Sequence, residues 1–237
     1  ELEIVLGLTP EMRGSNFDPL LQFRKIAERD STQKHALDRL IRASEKPSLH
    51  EAVRAWVHRT PIMGSNPDDE GDVDVVSKYI NDHLDAFERH SKHQEEAMLQ
   101  SSDMPPEAIK GRFEGARVQV REFLLPDGEL DRTRAGLLFI ESYRELPLLT
   151  WPRALVDAVV ELEEAMVKWR HAHARMVERI IGRRVGTGGS SGVDYLDATA
   201  TYRIFTDLWG IRTVLVRPEL RPEIESPEFY SFSSDSE

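Results

Sequence analysis

The 237-residue chain contains no cysteine, so disulfides, thiolate metal ligation and thiol catalysis are excluded from the outset. Positive charge is in deficit: 31 Lys and Arg stand against 42 Asp and Glu, for a net charge of −11. That balance argues against nucleic acid or an anionic membrane as the main partner. No apolar stretch approaches the ~18 to 20 residues needed to span a bilayer. The N-terminus has neither the basic nor the apolar region of a signal peptide. Starting at Glu1 rather than Met suggests a trimmed or processed chain, and a cytoplasmic protein is expected. Strand-like alternation is scarce, with only residues 3–6 and 213–216 fitting it.

What remains is helix after helix. Residues 18–28 and 32–44 read as a short helical pair. Ser48 with Glu51 three residues on is a capping box, opening a helix that must stop near Pro61. Beyond an acidic turn at 66–71, a long helix is predicted over 73–99, with Val76, Tyr79, Ile80, Leu84 and Phe87 on its apolar side. Pro105-Pro106 opens a helix to about residue 125, and another is predicted over 129–145. The fold class is all-α, a helical bundle. A single domain is expected over residues 1–221, with a serine-rich and acidic tail, 222–237, loosely held.

One helix departs from ordinary core patterning. From Leu155, the positions Val159, Leu162, Met166, Trp169, His173, Met176 and Ile180 advance by steps of four and three, one stripe of a buried helix. Every member is apolar except His173. Pro152 sits near the helix start and Gly182 ends it. His171 lies about 200° around the wheel, at ~100° per residue. His173 is either a core histidine bonded to a backbone carbonyl or an axial ligand to a flat apolar cofactor. A glycine-rich, hydroxyl-rich loop follows at 186–192.

The run Trp169-Arg170-x-x-His173-x-x-Met176-Val177-x-Arg179-x-x-Gly182, followed by Gly186-Thr187-Gly188-Gly189-Ser190-Ser191-Gly192-x-x-Tyr195-Leu196, closely resembles the tryptophan 2,3-dioxygenase superfamily of b-type haem proteins. The likeness extends upstream through Ser142-Tyr143-Arg144-Glu145-Leu146-Pro147, and downstream through Ile204-Phe205, Asp207-Leu208-Trp209 and Arg212-Thr213. The resemblance implies that His173 is the proximal haem-iron ligand, with Trp169 packed beside it. It also implies that Thr187 contacts an amino-acid substrate. Gly188 belongs to the same cofactor-side loop, and the amides of Gly188 to Ser191, with Ser190 and Ser191, suit a carboxylate. With no cysteine, thiolate-ligated haem and covalent c-type attachment are ruled out. A homo-oligomer, dimer or tetramer, is expected.

A second segment bears on the reaction. His58-Arg59-Thr60-Pro61-Ile62-Met63-Gly64-Ser65 lies where a helix breaks at proline. In the tryptophan dioxygenases a comparable turn borders the haem pocket and precedes a substrate-binding arginine. Here Gly71 stands at that spacing, and no arginine occurs between Arg59 and Arg89. The T-H-Q segment of those enzymes, with its distal histidine, is also missing. The His-Arg-Thr-Pro-Ile run is similar instead to bacterial haem-dependent aromatic hydroxylases, especially the L-tyrosine 3-hydroxylases of antibiotic and other natural-product pathways. That resemblance implies His58 as the acid–base group on the distal side, with Arg59 a second carboxylate or propionate partner. The plain alternative for His58 is a helix-terminal histidine placed against the carboxyl-end dipole.

The expected function is a haem b enzyme, using hydrogen peroxide or dioxygen, that hydroxylates L-tyrosine at the ring 3-position to L-DOPA. Two alternatives stay open: an indole-directed oxygenase of the same superfamily, and a haem-binding or sensor protein without a reaction. His90 and His93 with Glu95 or Glu96 form a weak metal candidate inside a solvated charge run. Arg144 is expected to pair with Glu141 or Glu145.

Overall fold

A computed structural model describes residues 5–8, 31–184 and 192–232 of the chain. The candidate residues Thr187, Gly188, Ser190 and Ser191, and the helix expected over 18–28, lie outside the described residues. Among those described, the helices are α1 (Ser31–Ser44), α2 (Leu49–His58), α3 (Asp72–Ser101), α4 (Pro106–Leu124), α5 (Arg132–Ser142), α6 (Pro147–Ile181), α7 (Val193–Ala200) and α8 (Thr206–Val214). Short 3-10 turns follow at Pro126–Gly128, Pro218–Leu220 and Pro227–Tyr230. The described residues hold no strand, only one isolated bridge between Ile62 and Ser65. Of the two segments that could pass for strands, Val5 and Leu6 are helical, and Thr213 and Val214 close α8.

Local chemistry sets the helix ends. The capping box closes as expected: Glu51 accepts from the Ser48 amide at 2.7 Å, and the Glu51 amide donates to Ser48 Oγ at 3.2 Å. Those bonds hold the Glu51 carboxyl below its ordinary range. Asp131 caps α5 by accepting from the amides of Thr133 and Arg134. The long α6 begins at Pro147, five residues earlier than the sequence implied, so Pro152 falls inside the helix. Its missing N–H leaves one carbonyl of the first turns without an intrahelical donor. Gly182 ends the helix in the left-handed region at φ 64°, its amide bonded to Glu178 O.

The chain divides into two compact units, Glu1–Val53 with Ala158–Thr206, and Arg54–Asp157 with Asp207–Glu237. The second is organised around α5, which is apolar on nearly every side: Ala135, Leu137, Leu138, Phe139 and Ile140 are all buried. Gly136 lets α5 approach α2 closely, since a Cβ there would sit 2.6 Å from the Val57 carbonyl oxygen. Phe139 is the hub of an aromatic cluster, with Tyr143 at 4.7 Å, Tyr230 at 5.2 Å and Tyr79 at 5.6 Å between ring centroids. Tyr230, inside the tail expected to be loosely held, is 1% exposed. At the start of that segment, Pro222 O accepts from the Tyr143 hydroxyl at 2.6 Å.

The core histidine of this unit is His83. It is fully buried, and Nε2 lies 2.8 Å from Val214 O, so this nitrogen carries the proton. Its Nδ1 has no hydrogen-bond partner among the described residues. Burial pushes its pKa below the usual histidine value, and the folded chain keeps it neutral. The unfolded chain takes up a proton near pH ~6.5. Stability is therefore full above that pH and falls as pH drops below it. Thermal melts from pH 7.5 to 5 should show a declining midpoint, with a shallower decline in His83→Gln. An identical slope in that variant would remove His83 as the cause.

Candidate functional site

The apolar stripe on α6 does not face the protein's own core. Of its eight positions only Val159 and Met166 are buried, whereas Leu162 is 38%, Trp169 53%, Met176 51% and Ile180 73% exposed. The buried side runs through Val156, Val159, Glu163, Met166, Arg170 and Ala174. The expectation of a buried stripe is thus corrected. The physical reason lies in two polar residues. Glu163 accepts from the amides of Ile204 and Phe205, the latter at 3.1 Å, and Arg170 donates to Tyr202 O at 2.6 Å. Those bonds satisfy the turn before α8 and draw Glu163 and Arg170 inward. The apolar stripe is left on the outside, over ~27 Å of helix between Leu162 and Ile180 at 1.5 Å per residue.

His173 sits within that outward stripe. It is half-exposed, and Trp169 one turn earlier stacks on it with ring centroids 5.2 Å apart and planes 10° from parallel. Neither ring nitrogen has a hydrogen-bond partner among the described residues. A core histidine bonded to a carbonyl would look like His83, and His173 does not. Its imidazole is oriented by a flat neighbour, flanked by large apolar side chains and open to a ligand. His171 is exposed on the same helix. Past the helix end, α7 is tied back by charge: Arg175 pairs with Asp197, and Arg183 pairs with Asp194 at 2.8 Å. These ion pairs are solvent-exposed, so their role is to set geometry, with little contribution to stability.

The second candidate segment is in the other unit. His58 is the last residue of α2, and both it and Arg59 are exposed. Arg59 has no carboxylate partner among the described residues. The turn that follows is built with unusual backbone: Met63 has φ 50° and Gly64 φ 81°. A left-handed methionine persists only where surroundings over-determine it. Two side chains distant in sequence do this. Arg132, 9% exposed, donates to the carbonyls of His58, Thr60 and Ser65, and its guanidinium pairs with Asp72 at 2.7 and 3.0 Å. Asp72 also accepts from Ser65 Oγ at 2.8 Å. Arg132 holds the Asp72 carboxyl below the usual carboxylate range, against the opposing effect of burial.

Tyr230 completes the clamp from the other side. Its hydroxyl accepts from the Gly64 amide at 2.9 Å and lies 3.1 Å from Pro61 O, to which it donates. Burial pushes this phenol up to about 12, so it stays protonated and can donate. Neither Arg132, Asp72 nor Tyr230 was visible as a site residue in the sequence. The aromatics Phe229, Tyr230 and Phe232 in a serine-rich and acidic tail were the signal on offer.

Other expectations fare differently. Arg144 makes no ion pair with Glu141 or Glu145. Glu145 pairs with Arg221, and the buried Glu141 pairs with Arg153 at 3.1 Å and Arg212 at 3.7 Å. Arg221 also lies over the Tyr143 ring at 4.7 Å, which fixes the Ser142-to-Glu145 motif in place. No group of three or more metal-ligating side chains occurs among the described residues, His90 and His93 included. Nor is any described helix long and apolar enough to cross a membrane.

Comparison with known proteins identifies the family. A family model described as tryptophan 2,3-dioxygenase matches residues 14–215. A tryptophan 2,3-dioxygenase-like protein of Xanthomonas campestris pv. campestris is 40% identical over 250 aligned positions, covering 98% of this chain and 88% of its own length. Tryptophan 2,3-dioxygenase 2 of Ralstonia nicotianae is 39% identical, with 100% of this chain and 66% of its own length covered. Tryptophan 2,3-dioxygenase B of Danio rerio is 31% identical, with 99% and 58% covered.

Proposed function

The chain belongs to the tryptophan 2,3-dioxygenase family, a family of haem-dependent oxidoreductases, and on that premise we propose that it oxygenates an aromatic amino acid at a haem held by His173. The observation that carries this reading is the outward apolar stripe of α6 around a half-exposed imidazole with no hydrogen bond of its own. An apolar surface of that extent on a soluble chain marks a binding face. Its donor chemistry fits the group: a neutral imidazole ligates iron, and flat apolar side chains suit a porphyrin.

When bound, haem supplies the activation of dioxygen or peroxide. The chain's own residues do the rest. Trp169 fixes the ring plane of His173, so the ligating nitrogen keeps one direction. Met176 and Ile180 extend the apolar surface and limit water. His58 takes and returns a proton at the oxidant, an acid–base role that an imidazole can fill. Arg59, lacking a carboxylate partner of its own among the described residues, receives the substrate carboxylate or a propionate. Thr187, Gly188, Ser190 and Ser191 are assigned to the substrate and cofactor-side loop on the motif alone.

The finer reading is hydroxylation of L-tyrosine at the ring 3-position, supported by the run His58-Arg59-Thr60-Pro61-Ile62 and by the lack of an arginine between Arg59 and Arg89. A second reading, oxygenation of an indole side chain, is favoured by the relatives, whose names are those of tryptophan 2,3-dioxygenases. Incubation of the haem-loaded protein with L-tyrosine or L-tryptophan, with peroxide or with dioxygen and a reductant, separates them by product mass. One added oxygen on tyrosine supports the first, and two on tryptophan the second. No product and no Soret response to either amino acid leaves a haem-binding protein without the reaction. In the active system His58→Ala should retain haem and slow turnover by roughly 10²- to 10⁴-fold. An unchanged rate would take His58 out of the chemistry.

A further inference from the structure

The turn after His58 is held by more bonds than a surface turn requires. Its backbone groups are met one by one: Arg132 takes the carbonyls of His58, Thr60 and Ser65, and the Tyr230 hydroxyl takes the Gly64 amide and the Pro61 carbonyl. Ile62 and Ser65 close on each other through paired bonds of 2.9 Å. Arg132 is structural on any reading, because it neutralises Asp72. The Tyr230 hydroxyl neutralises nothing. Its ring is already buried against Phe139 and Phe229, at 5.2 and 5.0 Å, and that packing would be served equally by phenylalanine. What the hydroxyl adds is a fixed position for Pro61 and Gly64, which bracket Ile62 and the left-handed Met63. It reaches them from the 3-10 turn Pro227–Tyr230, some 166 residues away in sequence from Gly64.

We propose that Tyr230 is a positioning residue: through its hydroxyl the C-terminal Pro227–Tyr230 turn sets the geometry of Pro61 to Gly64, and thereby the placement of His58 and Arg59. This rests on the reading of His58 as the proton-transfer group. It gives the C-terminal segment a role in turnover without contact to substrate. A turn freed on one side lets His58 sample several positions, and displacement by ~1 Å is enough to cost a reaction up to about 10²-fold.

Tyr230→Phe tests this while keeping the ring. The full haem-loaded chain should fold and retain haem as the parent does. Its kcat should fall roughly 10- to 10²-fold with KM little changed. In a His58→Ala background the same substitution should have almost no further effect, since residues acting through one another are non-additive. Two readouts need no turnover: Gly64 amide exchange should accelerate in Tyr230→Phe, and the His58 ring resonance, assigned by its loss in His58→Ala, should shift or broaden. A full rate in Tyr230→Phe, or an equal slowing with and without His58, overturns the proposal. So does an unmoved His58 resonance. Loss of the His58→Ala effect itself overturns the proton-transfer reading separately, because Gly64 exchange still reports whether the hydroxyl holds the turn.

Discussion

Substituting His173 with alanine leaves a folded chain that no longer retains haem. The expectation follows from where the side chain sits. His173 lies on the outward side of α6, and its one ring contact among the described residues is the stacked Trp169. The adjacent Ala174 is fully buried and carries the packing at that turn. Alanine is the best helix former, so α6 loses nothing in propensity. Surface changes of this kind stay within about 0.5 kcal/mol. Circular dichroism and the unfolding midpoint should therefore match the parent. Soret absorbance after reconstitution should fall at least tenfold, an expected loss of ~1.4 kcal/mol or more in haem affinity. Added imidazole should restore part of the band by occupying the space the side chain leaves. Normal haem content and an unaltered spectrum in His173→Ala would end the ligand assignment. The contrast is His83→Ala, where stability should fall and haem retention should not.

The stripe itself explains how far the sequence reaches. Periodicity reported truthfully that Leu162, Trp169, His173, Met176 and Ile180 share one face. It could not say whether that face meets the protein's own core or something else, because both impose the same spacing. The deciding information is in Glu163 and Arg170, whose polar side chains turn inward to bond the backbone at 202–205. No periodic pattern announces that. Local signals did better: Ser48 with Glu51, and Gly182 after α6, act within a few residues and behave as their chemistry dictates. The clamp around His58 is the opposite case. Arg132 and Asp72 are 60 residues apart, and Tyr230 lies 169 from Pro61, so one sequence gives no reason to associate them. Composition misled at Tyr230, since serine and acid content describes the tail's solvated residues and says nothing about one aromatic that finds the core.

Arg132→Met should cost the fold about 3 to 5 kcal/mol, the usual penalty for stranding a buried charge. Arg132 is 9% and Asp72 5% exposed, and the bidentate pair between them is the only ion pair of either among the described residues. Methionine fills the stem of the arginine but supplies no donor. Asp72 would keep Ser65 Oγ alone, and three carbonyls of the turn would lose the guanidinium. The pH dependence gives the sign. In the parent, Arg132 depresses the Asp72 pKa, so its stabilisation is present above the unfolded value of ~3.9 and is lost as pH falls below it. In Arg132→Met the isolated carboxyl takes up a proton more readily, and protonation relieves the penalty. The gap between parent and variant, read from urea denaturation, should be widest at pH 7 and narrow towards pH 4. A gap below 1 kcal/mol at pH 7 would show that the pair is not the clamp described. Adding Asp72→Asn to Arg132→Met should recover much of the lost stability, since a buried pair removed as a whole is often nearly neutral. It should not recover turnover, because the carbonyls of His58 and Thr60 still lack the group that holds them.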